Sequence, residues 1–127
     1  MSKTIVQGMA QGIVLKTTSP INFLGAVDKK TGIIQDKKYD IFGKSIKDSV
    51  LVFPHGIGSS VGAYTIYSLK SNHSAPVAMI CIKADLTVAS GCALANIPMI
   101  VVSNEEFDSI QDGSKITVDT KSENIFN

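Results

Sequence analysis

The segment from Ser49 to Val102 leaves this chain little choice of architecture. Short apolar runs at Ser49–Phe53, Val77–Ile82 and Pro98–Val102 are separated by two stretches of helical character, Gly58–Ser71 and Leu86–Ala95. Successive strand–helix–strand units of this kind are almost always parallel and right-handed. Val77–Ile82 is close to continuously apolar, as expected of a strand covered on both faces. The first helix has a glycine-rich entry, a serine as cap and a broad apolar surface from Val61, Tyr64, Ile66, Tyr67 and Leu69, and Asn72–Pro76 stops it. The second is alanine-rich, is capped by Asp85 or Thr87 and ends near Asn96.

The N-terminal half reads differently. Thr4–Leu15 is a bent strand or two short ones, with Gly8 and Gly12 marking a bulge or tight bend. Ile21–Leu24, after Pro20, is a further short strand candidate. Gly25–Lys38 is polar and turn-rich and reads as a loop or hairpin tip. Near the end, Asp112-Gly113 marks a turn and Lys115–Asp119 alternates like an edge or half-exposed strand. Thr120–Asn127 reads as a loosely held tail. The fold class expected is α/β, a β-rich N-terminal part and a βαβαβ second half sharing one core. With 127 residues, a single domain over residues 1–127 follows.

Composition removes several functions. At 44% hydrophobic and 18% charged residues the chain is not disordered. A net charge of +1 gives no basic footprint for nucleic acid. All twelve basic residues are lysine. A bidentate guanidinium clamp on a carboxylate or phosphate, if the function needs one, must therefore come from another chain. Cys81 and Cys92 fit no zinc or redox spacing and read as buried thiols. Two cysteines are too few for an iron–sulfur cluster held by this chain alone. No signal peptide and no membrane span is read, so a cytoplasmic chain away from membranes is expected.

The stretch Pro54-His55-Gly56-Ile57-Gly58-Ser59-Ser60-Val61-Gly62 joins a buried strand to a helix, where open α/β sheets place ligands. Its glycines let backbone approach a ligand closely. The helix start offers unpaired N–H groups and partial positive charge, a seat for an oxyanion. Ser59 or Ser60 either caps that helix or carries a hydroxyl acidified by the helix field, available as an alkoxide base. His55 is a general acid, a ligand contact or a structural hydrogen-bonder; His73 lies in a polar connection. Gly56, Gly58 and Gly62 make only a weak match to a dinucleotide fingerprint, the third glycine falling one place late.

These residues resemble the small subunit of the aconitase X family over nearly the whole chain. The likeness is carried by Gly25–Ile34, Gly43-Lys44-Ser45-Ile46, Gly58-Ser59-Ser60-Val61-Gly62, Ile82-Lys83-Ala84-Asp85 and Ala95-Asn96-Ile97-Pro98. The resemblance implies a swivelling β/β/α fold. It also implies a heterodimer with a separate large catalytic subunit, which carries a 4Fe–4S cluster and most contacts to a small phosphorylated hydroxy-acid substrate. The reaction implied is a hydro-lyase step of the archaeal mevalonate (isoprenoid) pathway, (R)-5-phosphomevalonate to trans-anhydromevalonate 5-phosphate. Ser59 then corresponds to the family's proton acceptor, the cluster iron being the Lewis acid. Gly58, Ser60, Gly62 and His55 fall among the expected substrate contacts. The family element continues with an arginine where this chain has Val61. A bacterial branch that dehydrates cis-3-hydroxyproline, and a non-enzymatic module binding a phosphorylated metabolite, are the alternatives. An apolar surface patch beside Gly56–Gly62 is expected if a partner docks there.

Overall fold

The computed structural model describes residues 2–126. Seven strands form one curled sheet in the order β1-β5-β4-β3-β2-β6-β7. The strands are β1 (Lys3–Val6), β2 (Met9–Lys16), β3 (Val50–Val52), β4 (Ala78–Cys81), β5 (Met99–Val101), β6 (Lys115–Asp119) and β7 (Asn124–Phe126). The helices are α1 (Phe23–Ala26), α2 (Gly62–Ser71), α3 (Leu86–Ala95) and α4 (Asn104–Ser109).

Strands β3, β4 and β5 are parallel neighbours in the sheet, as the crossover pattern predicts, and β2 adds to them in parallel beside β3. The half of β2 from Met9 to Ile13 pairs antiparallel with β6, while Val14–Lys16 pairs with β3. Alternation along the strands builds two cores. Leu15, Leu51, Phe53, Met79, Cys81 and Met99 face α2 and α3, meeting Ile66, Leu69, Val88 and Cys92. Val14, Val50, Val52, Ala78, Ile80 and Ile100 face the other way, against Phe107, Ile110, Ile116 and Val118. Burial on both faces explains the unbroken apolar character of these short strands.

Four local expectations need correction. Ile21–Leu24 is not a strand: Ile21 makes a single parallel bridge to Gly56, and one helical turn follows. Phe23 and Ala26 are three residues apart and both buried, so the helical turn puts them on one inward face. The bend near the N-terminus is not at Gly12, which pairs within β2; Gly8 joins β1 to β2, and the register slips between Thr4 and Val6. Helix α2 begins at Gly62, four residues later than expected, because Ser60 and Val61 form a turn first.

The tail up to Phe126 is not loose (Asn127 lies outside the described residues). It folds back as β7 on β6, with Ile125 packed on the second core. The turn between them is tied to the opposite edge of the sheet. Thr4 donates its N–H to Glu123 Oε2 at 2.8 Å and its hydroxyl to Thr120 O at 2.8 Å, and Gly8 N–H donates to Thr120 Oγ1 at 2.8 Å. Helix α4, absent from the sequence reading, is capped by Ser103 Oγ, which accepts from Glu106 N at 3.1 Å. The Lys16 ammonium closes its other end, donating to Phe107 O and Ile110 O at 2.7 and 2.8 Å.

Candidate active site

Strand β3 delivers the chain to residues 54–61 at the carboxyl end of the parallel strands. Two neighbours hold this loop at its start. Ile21 N–H donates to His55 O at 3.1 Å and Ile57 N–H to Ile21 O at 3.0 Å. From the other side Asp85, the N-cap of α3, takes the Gly56 N–H on Oδ1 at 2.7 Å and the Val88 N–H on Oδ2 at 3.2 Å. Gly56 is pressed so closely against this cap that a Cβ there would lie 2.5 Å from Val88 Cγ2. Only glycine fits.

Beyond these anchors the loop turns outward. Gly58 has φ +91°, a left-handed conformation that favours glycine. A Cβ on it would sit 2.7 Å from the Asn22 carboxamide carbon and oxygen. Ser59 and Ser60 are exposed. Ser59 Oγ accepts a hydrogen bond from Val61 N–H at 3.1 Å, but the expected serine cap is not formed: Val61 is the N-cap of α2 and no side chain caps it. The N–H groups of Gly58, Ser59 and Ser60 have no partner among the described residues. No acidic residue stands in the first turn of α2 to offset the positive end of its dipole. An exposed hydroxyl oxygen that already accepts an amide hydrogen, in a positive field, is a hydroxyl whose alkoxide is favoured.

The other expected site residues divide. Ser60 and Gly58 join Ser59 at the surface. Gly62 is buried, its N–H given to Ser59 O at 3.0 Å and its Cα close to the Thr87 methyl, so its place is in the packing of α2. His55 is half-buried, with Nδ1 2.8 Å from Gly56 O. A carbonyl only accepts, so Nδ1 carries the hydrogen of this bond.

The chain's thiols do not suit an iron–sulfur cluster. Cys81 and Cys92 are both buried. Burial holds the Cys81 thiol well above its ordinary range and pushes that of Cys92 up to about 12, whereas ligation needs exposed thiolates. No group of three or more His, Cys, Asp or Glu capable of holding a metal ion occurs among the described residues. No helix there is long and apolar enough to cross a membrane.

Large apolar side chains surround the loop. Ile57, Val61 and Leu24 are each about half exposed, Tyr64 is 67% exposed and Leu86 82%. Leu24, Val61 and Tyr64 share a groove of about 400 Å³ along the side of α2. Leu86 is placed beside the loop by its neighbours Asp85 and Thr87, which touch Gly56 and Gly62. This is the patch expected of a docking face. Two residues that shape the site were not among the sequence candidates. Asp85 was legible only as a helix cap, and Asn22 gave no signal, since its contact with Gly58 spans 36 positions of sequence.

Comparison with known proteins bears on the whole chain. The family model for the aconitase X swivel domain matches residues 1–126. The phosphomevalonate dehydratase small subunit of Methanosarcina acetivorans is 45% identical over 117 residues, 91% of this chain and 81% of that one. The protein of the same name from Thermococcus kodakarensis is 44% identical over 120 residues, 94% of this chain and 89% of that one. The crystal structure of Thermococcus kodakaraensis aconitase X in its holo-form superposes with a TM-score of 0.94 at 42% identity, covering 98% of this chain and 94% of that one.

Proposed function

The chain belongs to the aconitase X swivel-domain family, and from that premise we propose that it is the small subunit of a phosphomevalonate dehydratase, a hydro-lyase. The relatives named phosphomevalonate dehydratase small subunit support this reading over the hydroxyproline alternative and over a free-standing metabolite-binding module. The name they share implies a large subunit, and the apolar residues around the 54–61 loop supply a face for it to cover. A 4Fe–4S cluster is assigned to that partner, because the two buried thiols here do not suit it.

The proton acceptor in this reading is Ser59. The observation that carries it is the exposed Oγ receiving the Val61 N–H at the start of α2, a helix with no acidic residue in its first turn. Substrate enters with the carbon next to its carboxylate facing this oxygen. The C–H bond breaks, the proton passes to Ser59 Oγ, the electron pair forms the new carbon–carbon double bond, and the adjacent C–O bond breaks with its pair leaving as hydroxide, which takes the proton back from Ser59 and departs as water. The net loss is one water. The N–H groups of Gly58 and Ser60, without partners among the described residues, are the donors this reading gives to a substrate oxygen. With no arginine in the chain, a guanidinium clamp on the carboxylate or phosphate falls to the large subunit.

Reconstitution with the large subunit tests this. Ser59→Ala removes an exposed hydroxyl, so assembly is unchanged while turnover falls by about 10²–10⁴, the range for loss of a positioned base. Turnover near the parent rate would overturn the assignment.

A further inference from the structure

The carboxamide of Asn22 is the odd group in this fold. Its oxygen is buried and, among the described residues, it is the one buried side-chain polar atom without a hydrogen-bond partner. The residue itself is fixed from every side. Its N–H donates to the Tyr39 hydroxyl at 3.0 Å, which in turn donates to Pro20 O at 2.9 Å, and its carbonyl accepts from Ala26 N at 2.8 Å. Ile21 before it is bridged to Gly56, and Phe23 after it is in the core. Asn22 stands at the N-cap of α1, a position asparagine is well suited to, yet its side chain caps nothing. It lies instead against Gly58, with carbon, oxygen and nitrogen of the amide all within 3.0 Å of where a Cβ on Gly58 would be.

Packing alone does not account for an amide here. A buried acceptor without a donor costs the desolvation of that group, and an apolar side chain of similar size would avoid it. The segment it presses on, Gly58 to Ser60, carries backbone N–H groups that have no partner among the described residues. Both halves of a hydrogen bond are thus present in adjoining segments and unjoined, at the one turn that aims Ser59.

We propose that Asn22 is a positioning residue for Ser59. Its carboxamide, carried on a firmly tied backbone, packs against the Gly58 turn and accepts a hydrogen bond from the 58–60 segment when the site is loaded. The bond forms with the reaction rather than with folding, so it acts on turnover and not on stability. This inference rests on Ser59 being the proton acceptor.

The test uses the assembled two-subunit enzyme with phosphomevalonate as substrate. Asn22→Leu keeps the bulk and removes the acceptor. The expected result is a kcat lowered at least tenfold, a KM within threefold of the parent and a melting temperature no lower than the parent's. Asn22→Asp, which restores an acceptor oxygen, is expected to recover at least threefold over the leucine variant. A smaller fall in kcat, a loss confined to KM, or a loss that follows a lowered melting temperature overturns the proposal. Should the leucine variant not assemble, Asn22→Ala is read against the same limits. Ser59→Ala run beside it separates the two readings. If only Ser59→Ala loses turnover, the role of Asn22 falls alone; if Ser59→Ala stays active, both fall.

Discussion

The Asp85 carboxylate joins two chain segments: one oxygen holds the Gly56 N–H at 2.7 Å and the other the Val88 N–H at 3.2 Å. A single side chain is therefore both the cap of α3 and the clamp of the loop that carries Ser59. Losing a cap costs about 1 kcal/mol, and a hydrogen bond to a charged group about 1.5–3 kcal/mol. Asp85→Ala is expected to lose about 2.5–4 kcal/mol in urea unfolding of the lone chain and to lower turnover in the complex. Asp85→Asn, which keeps one acceptor, loses less. A loss within 0.5 kcal/mol for the alanine variant would show that the clamp carries nothing.

Gly58 combines a φ of +91° with Asn22 lying 2.7 Å from the place of a Cβ. Gly58→Ala must move the turn, the amide or both. It is expected to cost about 1–3 kcal/mol, the range for strained backbone, and to reduce turnover more than substrate affinity. Steady-state kinetics of the complex beside a denaturation curve of the lone chain gives both numbers.

Leu86 is 82% exposed and follows the clamp residue directly. Leu86→Glu is expected to leave the stability of the lone chain within about 0.5 kcal/mol and to weaken association with the large subunit at least tenfold, about 1.4 kcal/mol. Met9 is also exposed, but it begins β2 at the far end of the sheet. Met9→Glu should leave association unchanged. Titration calorimetry with the large subunit distinguishes them; equal effects would mean the docking face lies elsewhere.

The buried thiols give the fold an alkaline limit. The Cys92 thiol is pushed from about 9 in the open chain to about 12 by burial first and then by the Asp85 charge, and Cys81 is raised too. Below pH 9 folded and unfolded chains both keep these protons, so stability does not depend on them. Above pH 9 the unfolded chain ionises while the folded one does not, and stability falls by up to about 1.4 kcal/mol per pH unit for each thiol. Urea midpoints between pH 8 and pH 10.5 are expected to decline, and the decline should be shallower for Cys92→Ala relative to its own pH 8 value.

How much of this was legible depended on whether the deciding interactions were local. The apolar runs of β3, β4 and β5 and the caps of α3 were read directly, because both faces of those strands are buried and Asp85 bonds a residue three positions on. Ser103-Asn104-Glu105-Glu106 was a cap signal of the same local kind and was overlooked. The Gly58–Ser59–Ser60 turn stood out by composition, and the exposure of Ser59 agrees with that reading.

Sequence by itself thus determined the crossover units, the strand-to-helix turn and the absence of any arginine, all properties of neighbouring residues or of composition. Tertiary structure alone decided that Ile21 bridges rather than forms a strand, that the tail closes the sheet through Thr4 and Glu123, and that Asn22 and Asp85 flank the loop. Each joins segments 29 to 119 positions apart or rests on such a joining, and no local periodicity records which distant backbone will supply a donor or leave an acceptor unmet.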